Sequence, residues 1–497
     1  MRRPALAVLS GIILSLSFPS WANPSLNTNM GFLAWVGLVP LLWAIDHAPV
    51  RRAFIIGWIG GTAFFASTIY WIACIREMEY MAIPAWLAFS LFLGLFWGVW
   101  AWGVSASGRR SWIAGPALWI LLEWLRGHLF TGFPWAVLGS TQWHYPQIFL
   151  SARYAGTMAV SFGIVAINIA IWRFRLAGLF RIPAVVVAIF SLGTLTILSF
   201  MAQLAIKDDS LGKPAVKIAL LQGNFTEEEK WSLPMEMMVG RYEELSRRAG
   251  RENVAVIVWP ETATAGELSR DRITSDKLIK LSRKTGAVHV VGAILNEDGR
   301  YYNAAYVVSA GGIQVPFRKS HLVPFGEYIP SWIRTMMPFA KKLTEGVIDY
   351  SPGISPSSAM TGPIRSGVQV CYESIFPDIS RAQVLSGADV FINLTNDAWY
   401  LRTASTYQHA LGPICRSVEF GRWMVRCANT GLSFFCSPSG SLRNTMPIFE
   451  TGFQVMEIVP VSRITPYAKY GDAPLVCLAL LALALAYIPA SRDPKRP

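Results

Sequence analysis

Charge is scarce in this chain. Asp, Glu, Lys and Arg together make up 15% of the residues, against 53% apolar side chains. An average soluble domain carries about 25% charged residues, so an ordinary soluble enzyme is excluded. Cysteine is also sparse: Cys74, Cys371, Cys415, Cys427, Cys436 and Cys477 are the six in 497 residues. They form no CxxC pair and no Cys/His zinc spacing, so no metal site is expected. Four lie in a polar region, where an oxidising compartment could pair some of them. No internal repeat, low-complexity tract or phosphate-binding P-loop is present, and no cofactor is expected.

What the chain has instead is long apolar runs. A membrane span takes about 20 apolar residues at a rise of about 1.5 Å each. Eight runs qualify, at 5–22, 30–47, 53–75, 82–106, 111–129, 155–173, 182–206 and 473–490. The first follows Arg2 and Arg3 and ends at Ser20-Trp21-Ala22, which is also the outline of a signal peptide. The next span begins after a short loop, which favours a retained helix. Arg2/Arg3, Arg51/Arg52, Arg109/Arg110, Arg173/Arg175/Arg181 and Arg492/Lys495/Arg496 all fall on one side of the resulting topology. The opposite short loops hold only Arg76, Arg126 and Arg153. The positive-inside rule then puts both termini in the cytoplasm and the insert between spans seven and eight outside it. Much of the net charge of +13 is this topology signal, and nucleic acid is not an expected partner. Asp46 and Glu123 lie at or near span ends. Glu123 and Arg126, spaced i,i+3, read as a structural pair.

The domains are therefore read as 1–206, a membrane domain of seven helices; 207–470, an extracytoplasmic domain; and 471–497, an eighth helix with a short cytoplasmic tail. In the insert, short apolar runs alternate with amphipathic stretches. Strands are expected at Val216–Leu221, Val254–Trp259, Val288–Ile294, Tyr301–Ser309, Ile313–Phe317, Val368–Tyr372, Val390–Leu394 and Met424–Ala428. Helices are expected at Met235–Arg251, Asp271–Lys284, 377–386 and 405–421. The pattern is that of a layered α/β domain.

Three of these segments put a reactive side chain just past an apolar strand, a common place for a site. They are Val256-Ile257-Val258-Trp259-Pro260-Glu261, Phe317-Arg318-Lys319-Ser320-His321-Leu322-Val323-Pro324-Phe325-Gly326-Glu327 and Gly367-Val368-Gln369-Val370-Cys371-Tyr372-Glu373. A carboxylate, an amine and a thiol make a workable acyl-transfer set. The thiol attacks once a base takes its proton. A partly buried glutamate can be that base. A fixed ammonium can stabilise a tetrahedral oxyanion. Taken singly, each residue has an ordinary structural explanation; a lone internal cysteine is usually a small buried hydrophobe. His321 reads as a packed loop residue rather than a base or metal ligand.

Trp-Pro-Glu, Lys-x-His-Leu-Val-Pro-Phe-Gly-Glu and Cys-Tyr-Glu, in this order, resemble the nitrilase superfamily. The eight-span frame and Thr131-Gly132-Phe133-Pro134-Trp135 extend the resemblance to the apolipoprotein N-acyltransferases, over essentially the whole chain. The resemblance implies a multi-span α-helical membrane domain plus an α/β nitrilase-like α-β-β-α sandwich, in a bacterial inner membrane with the sandwich on the periplasmic face. It implies a phospholipid acyl donor and a diacylglyceryl-apolipoprotein acceptor. It makes Glu261 the general base, Lys319 the oxyanion-stabilising residue and Cys371 the acylated nucleophile. Glu327 matches a second glutamate that positions the site, and Tyr372 and Glu373 match the residues after the nucleophile. Trp231, Asn303 and Trp399 match further family positions. The sequence departs from the family after Asn396-Asp397-Ala398-Trp399: an aromatic residue and glycine are usual there, and Tyr400-Leu401-Arg402 stands here. Leucine disfavours positive φ, so this loop is expected to take another path.

The expected reaction holds the acyl chain as a Cys371 thioester until an amine arrives, in a site kept apolar against water. The run from Tyr328 through Trp332 and Met336 to Phe339, with Arg334, Lys341 and Lys342, suits a lipid headgroup boundary and is read as a mobile arm gating lipid entry. Two alternatives remain at this point. One is a membrane-bound carbon–nitrogen hydrolase with the same triad; the other is a non-catalytic lipid-binding or transport protein.

Overall fold

A computed structural model describes residues 2–27, 29–174, 181–209, 213–264, 266–268, 270–329, 349–354 and 356–488, without the side chains of Glu77, Trp231 and Pro316. Most of the expected gating arm, 330–348, lies outside the described residues. The chain divides into two compact units: Met1–Ala73, Tyr80–Phe200 and Asp472–Pro497 form one, and Cys74–Glu79 with Met201–Gly471 form the other.

The first unit is helical. Among the described residues, Met78–Ala106, Thr157–Phe174 and Ile182–Asp209 are long and apolar enough to cross a membrane. Arg2–Ser15, Val50–Thr68, Ser111–His128 and Ala473–Tyr487 are the helices within four other expected spans. The run at 30–47 is not one helix. It forms a 3₁₀ turn, Gly31–Trp35, and a short helix, Val39–Ile45. Asn168 satisfies the break. Its Nδ2 donates to the Ala34 and Ile164 carbonyls at 2.9 Å, and its Oδ1 accepts from the Leu38 N–H at 2.9 Å. Irregular backbone at membrane depth is tolerated only with such partners. Glu123 and Arg126 serve a second irregular stretch. Glu123 Oε1 accepts from the Leu138 N–H at 2.8 Å, and Arg126 Nη1 donates to the carbonyls of Phe133, at 2.7 Å, and Trp135.

The second unit is built on two six-stranded sheets. In chain order the strands are β1 (Val216–Gln222), β2 (Val256–Val258), β3 (Val288–Glu297), β4 (Arg300–Ser309), β5 (Gly312–Arg318), β6 (Ser358–Thr361), β7 (Ile364–Val370), β8 (Val390–Thr395), β9 (Trp423–Ala428), β10 (Ser433–Cys436), β11 (Leu442–Met446) and β12 (Gly452–Ile458). One sheet runs β12-β1-β2-β3-β4-β5 and the other β11-β10-β9-β8-β7-β6. The central strands β1, β2 and β3 pair in parallel, as do β7, β8 and β9. Parallel strands are covered on both faces, which is why Val390–Thr395 is buried throughout.

Ile218, Leu220, Val256, Val258, Val290, Val368, Ile392, Leu394 and Val425 form the core between the sheets. Each such side chain contributes about 1.5–3 kcal/mol when fully buried. A second core lies on the other face of the first sheet, under the Met235–Gly250 and Arg272–Thr285 helices. Met238, Val239, Tyr242, Leu245, Ser246 and Ala249 make one buried stripe at helical spacing. The Pro377–Leu385 and Ser405–Phe420 helices complete a helix–sheet–sheet–helix stack. The expected elements are present with two corrections: the strand expected at Val254–Trp259 is only Val256–Val258, and Tyr372 is not in a strand. Cys371–Ile375 is a 3₁₀ turn that begins where β7 ends.

The loop after Trp399 also departs from expectation. Leu401 takes φ 51° and ψ −148°, a region that normally needs glycine. The backbone thus keeps a glycine-type turn and places the strain on leucine. Leu401→Gly should relieve it, net of the added freedom of the unfolded chain, by about 1 kcal/mol. Thermal unfolding in detergent should rise by about 2–4 °C; an unchanged or lower midpoint would mean that the turn carries no strain.

Candidate active site

Four strands deliver the site. Glu261 follows β2 past Pro260, Asn303 lies in β4, Lys319 directly follows β5, and Cys371 directly follows β7. The first three come from one sheet and Cys371 from the other, so the residues converge where the two sheets end. All four are buried.

Lys319 is the hub. Its side chain is 1% exposed, its Nζ lies 2.8 Å from a Glu327 carboxylate oxygen, and Glu261 Oε1 is 3.8 Å away. Asn303 Nδ2 bridges the two carboxylates, donating to Glu261 Oε1 at 2.7 Å and to Glu327 Oε1 at 3.0 Å. Two carboxylate partners fix which end of the amide faces them, since only the NH₂ can donate. Glu327 Oε2 also accepts from the Val323 N–H at 2.8 Å, which ties the loop after Lys319 to its ammonium.

Burial alone would lower the Lys319 pKa. The carboxylates of Glu327 and Glu261 and the Cys371 sulfur outweigh it and hold the ammonium above its ordinary range. Burial raises the Glu261 pKa; the neighbouring Glu327 adds to this, while Lys319 and Lys230 oppose it. Burial also pushes the Cys371 thiol up, with Glu261 adding and Lys319 opposing. In this state the thiol keeps its proton, and Glu261 has more than ordinary carboxylate affinity for one.

Cys371 has φ 53°, uncommon for a non-glycine residue and costing of order 1–3 kcal/mol. Its surroundings hold that conformation. The Cys371 carbonyl lies 3.0 Å from Ser374 Oγ, 3.3 Å from Asn393 Nδ2 and 3.3 Å from His409 Nε2. Glu373 then fastens the turn to the Lys319 loop. Its Oε2 accepts from the Val370 N–H at 2.8 Å, and its Oε1 accepts from the Ser320 N–H and Oγ at 2.7 Å each. The Tyr372 ring packs against Phe376, whose ring lies 3.8 Å from that of His321. His321 thus sits in an aromatic stack.

Trp399 lies half-buried in the Ala398–Tyr400 turn. The Trp231 side chain is outside the described residues. Sequence reading missed two groups of residues. One is Asp397, His409 and Arg426: Asp397 Oδ1 meets His409 Nδ1 at 2.9 Å, and Oδ2 meets Arg426 Nη2 at 2.9 Å. Asp397 stands in the Asn-Asp-Ala-Trp stretch already singled out, but no local signal marks its partners. The other is Lys230, a buried cation beside the Glu261 turn. No disulfide links the six cysteines.

Gly292 in β3 is the floor under Glu261. A Cβ there would sit 2.3 Å from the Pro260 carbonyl oxygen and 2.8 Å from Glu261 Cα. Both are backbone and cannot turn aside. Gly292→Ala should displace Glu261 and cut kcat/KM about 100-fold, because misplacement of about 1 Å costs that much. A rate assay on folded, membrane-inserted protein reads this; activity within twofold of wild type would show that the turn can shift freely.

A sequence model of the apolipoprotein N-acyltransferase N-terminal domain matches residues 10–170, and one of carbon-nitrogen hydrolases matches residues 217–467. An apolipoprotein N-acyltransferase of Geobacter metallireducens is 34% identical, covering 97% of this chain and 94% of its own. One from Azotobacter vinelandii is 30% identical over 92% and 90%, and one from Photobacterium profundum is 27% identical over 98% and 95%. Among solved structures, an amidase of Nesterenkonia sp. AN1 is similar over 52% of this chain and 95% of its own, with 18% identity and a TM-score of 0.41. A carbon-nitrogen hydrolase of Helicobacter pylori covers 49% and 89%, with 15% identity and a TM-score of 0.40. Full-length similarity at this level, with both domain models in order, makes the chain a membrane acyltransferase that belongs to the apolipoprotein N-acyltransferase family.

Proposed function

We propose that this enzyme moves an acyl chain from a membrane phospholipid to the α-amine of the diacylglyceryl-cysteine that begins an apolipoprotein, through a thioester on Cys371. The observation that carries the reading is the buried convergence of Glu261, Lys319 and Cys371. Glu261 takes the thiol proton as sulfur attacks the ester carbonyl. The Lys319 ammonium meets the negative charge that develops on the carbonyl oxygen. The tetrahedral adduct collapses, the C–O bond breaks, and Glu261 returns the proton to the leaving alcohol of a lysophospholipid. The lipoprotein amine then attacks the thioester and Glu261 accepts its proton. The C–S bond breaks, and the proton goes back to sulfur. An amide is more stable than a thioester, so the second step needs no nucleotide or other cofactor.

Glu327, Asn303 and Glu373 position this set through the bonds described. Tyr372, Trp399 and Trp231 are assigned to the substrate side. The domains are 1–206, 207–470 and 471–497, with the catalytic domain on the periplasmic face of a bacterial inner membrane and both termini cytoplasmic. The clustering of arginines on alternate loops supports this orientation.

Purified protein incubated with phospholipid alone should gain one acyl group at Cys371, seen by mass spectrometry. A diacylated lipopeptide should clear the adduct and become N-acylated. Cys371→Ala should abolish both events, and Glu261→Gln should slow them about 10²–10⁴-fold. Release of free fatty acid only would show a hydrolase instead.

The base works only when ionised, so rate is lost as pH falls through the pKa of Glu261. Because burial raises that pKa, the acid limb of kcat/KM should lie above the ordinary carboxylate value of about 4.3. A limb at or below that value would remove Glu261 from the role.

A further inference from the structure

One buried ammonium has no part in the mechanism above. Lys230 lies on the short Glu227–Ser232 helix and is 4% exposed. Its Nζ donates to the Glu261 backbone carbonyl at 3.2 Å and to Thr262 Oγ1 at 2.6 Å. Both oxygens are uncharged. Burying an ammonium costs several kcal/mol, and two neutral acceptors are a poor return if the cation were only a loop anchor. A neutral donor such as glutamine would make similar bonds at less cost.

The position of the charge explains the arrangement. Thr262 has φ 45°, so the turn that aims Glu261 is itself unusual and needs a clamp. Lys230 clamps it through these two bonds, and the Gly292 carbonyl holds the next residue by accepting from the Ala263 N–H at 2.7 Å. Burial lowers the Lys230 pKa, and three neighbours oppose that: Glu227, Glu261 and Cys371. The charge of Lys230 is therefore felt by both proton-transfer partners.

Resting on the assignment of Glu261 as base and Cys371 as nucleophile, we infer that Lys230 is a positioning residue for Glu261, clamping the Glu261–Thr262 turn and supplying a second positive charge to the acid–base pair. Glu261 faces Lys319, Glu327, Lys230 and Asn303. Cys371 faces Glu261, Lys319 and Asp397. Within these sets, Lys319 and Lys230 are the cations that favour the ionised forms. Lys319 also serves the oxyanion. Among the described residues, the hydrogen bonds of Lys230 Nζ go to the base turn, so its removal tests the acid–base pair.

The test is alkylation of Cys371 by iodoacetamide, followed across pH by mass spectrometry on the full chain in detergent. Glu261→Gln is included as the control for the base. Lys230→Gln keeps a donor to the turn but no charge, Lys230→Met keeps neither, and Lys230→Arg keeps the charge. Loss of the cation raises the pKa of both Glu261 and Cys371, so the Gln and Met variants should move the profile to higher pH by about half a unit or more. The Arg variant should stay near wild type. If Glu261→Gln shifts the profile but Lys230→Gln overlays wild type, the inference is wrong and the base assignment stands. If Arg shifts as far as Met, the residue acts by packing and the charge claim is wrong. If Glu261→Gln itself changes nothing, the base assignment falls and this inference falls with it.

Discussion

The buried ammonium of Lys319 is the interaction on which the rest of the site depends. An ammonium that is 1% exposed is stable only among compensating charges. Glu327 supplies the close pair and Glu261 the more distant one. The difference matters for chemistry. Glu327 is in direct contact with the ammonium, whereas Glu261 stands 3.8 Å away and burial raises its proton affinity. Asn303 holds that spacing, because its NH₂ touches both carboxylates. In the proposed mechanism one glutamate pairs with the lysine and leaves the other to exchange a proton.

This charge cluster lies on one sheet, while the thiol comes from the other. Their relative position therefore depends on the core between the sheets and on Glu373, which bonds the Lys319 loop and the Cys371 turn with a single carboxylate. The left-handed backbone at Cys371 is possible because donors from β8, from the Ser405–Phe420 helix and from its own turn converge on its carbonyl. Local strain persists where the surroundings over-determine it. Replacing Asn393 or His409 should therefore perturb the direction of the thiol, although neither touches the reacting atoms.

These features differ in how far sequence could reveal them. Pro260 and Glu261 after an apolar run, Lys319 at a strand end, and Cys371 itself were readable, because strand ends carry local punctuation. The end of β7 was not. Val368-Gln369-Val370-Cys371-Tyr372 reads as one strand, since neither glycine nor proline marks the positive φ at Cys371. β12 was missed for a different reason. It is only partly buried and pairs with β1 more than two hundred residues away, so its evidence is non-local. Lys230 follows Glu227, Glu228 and Glu229, a charged run with no local sign of burial. Only tertiary packing shows that it is buried. At Leu401, the expectation that leucine would refuse positive φ was overridden by the fixed elements on either side, the Ala398–Tyr400 turn and the Ser405–Phe420 helix.

The same cluster would serve a hydrolase as well as a transferase, because both begin with a thioester. The two fates separate only at the second nucleophile. Water is always present at high concentration, so a transferase must gain its selectivity by excluding water and by raising the local concentration of the amine. Burial of Glu261, Lys319 and Cys371 accomplishes the first: a base that solvent barely reaches activates few waters. On the proposed reaction, anchoring both substrates in lipid accomplishes the second, since an acceptor with two acyl chains is already confined to the membrane. On that reading the membrane helices contribute to the specificity, and the sandwich by itself should behave more like a hydrolase than the intact chain.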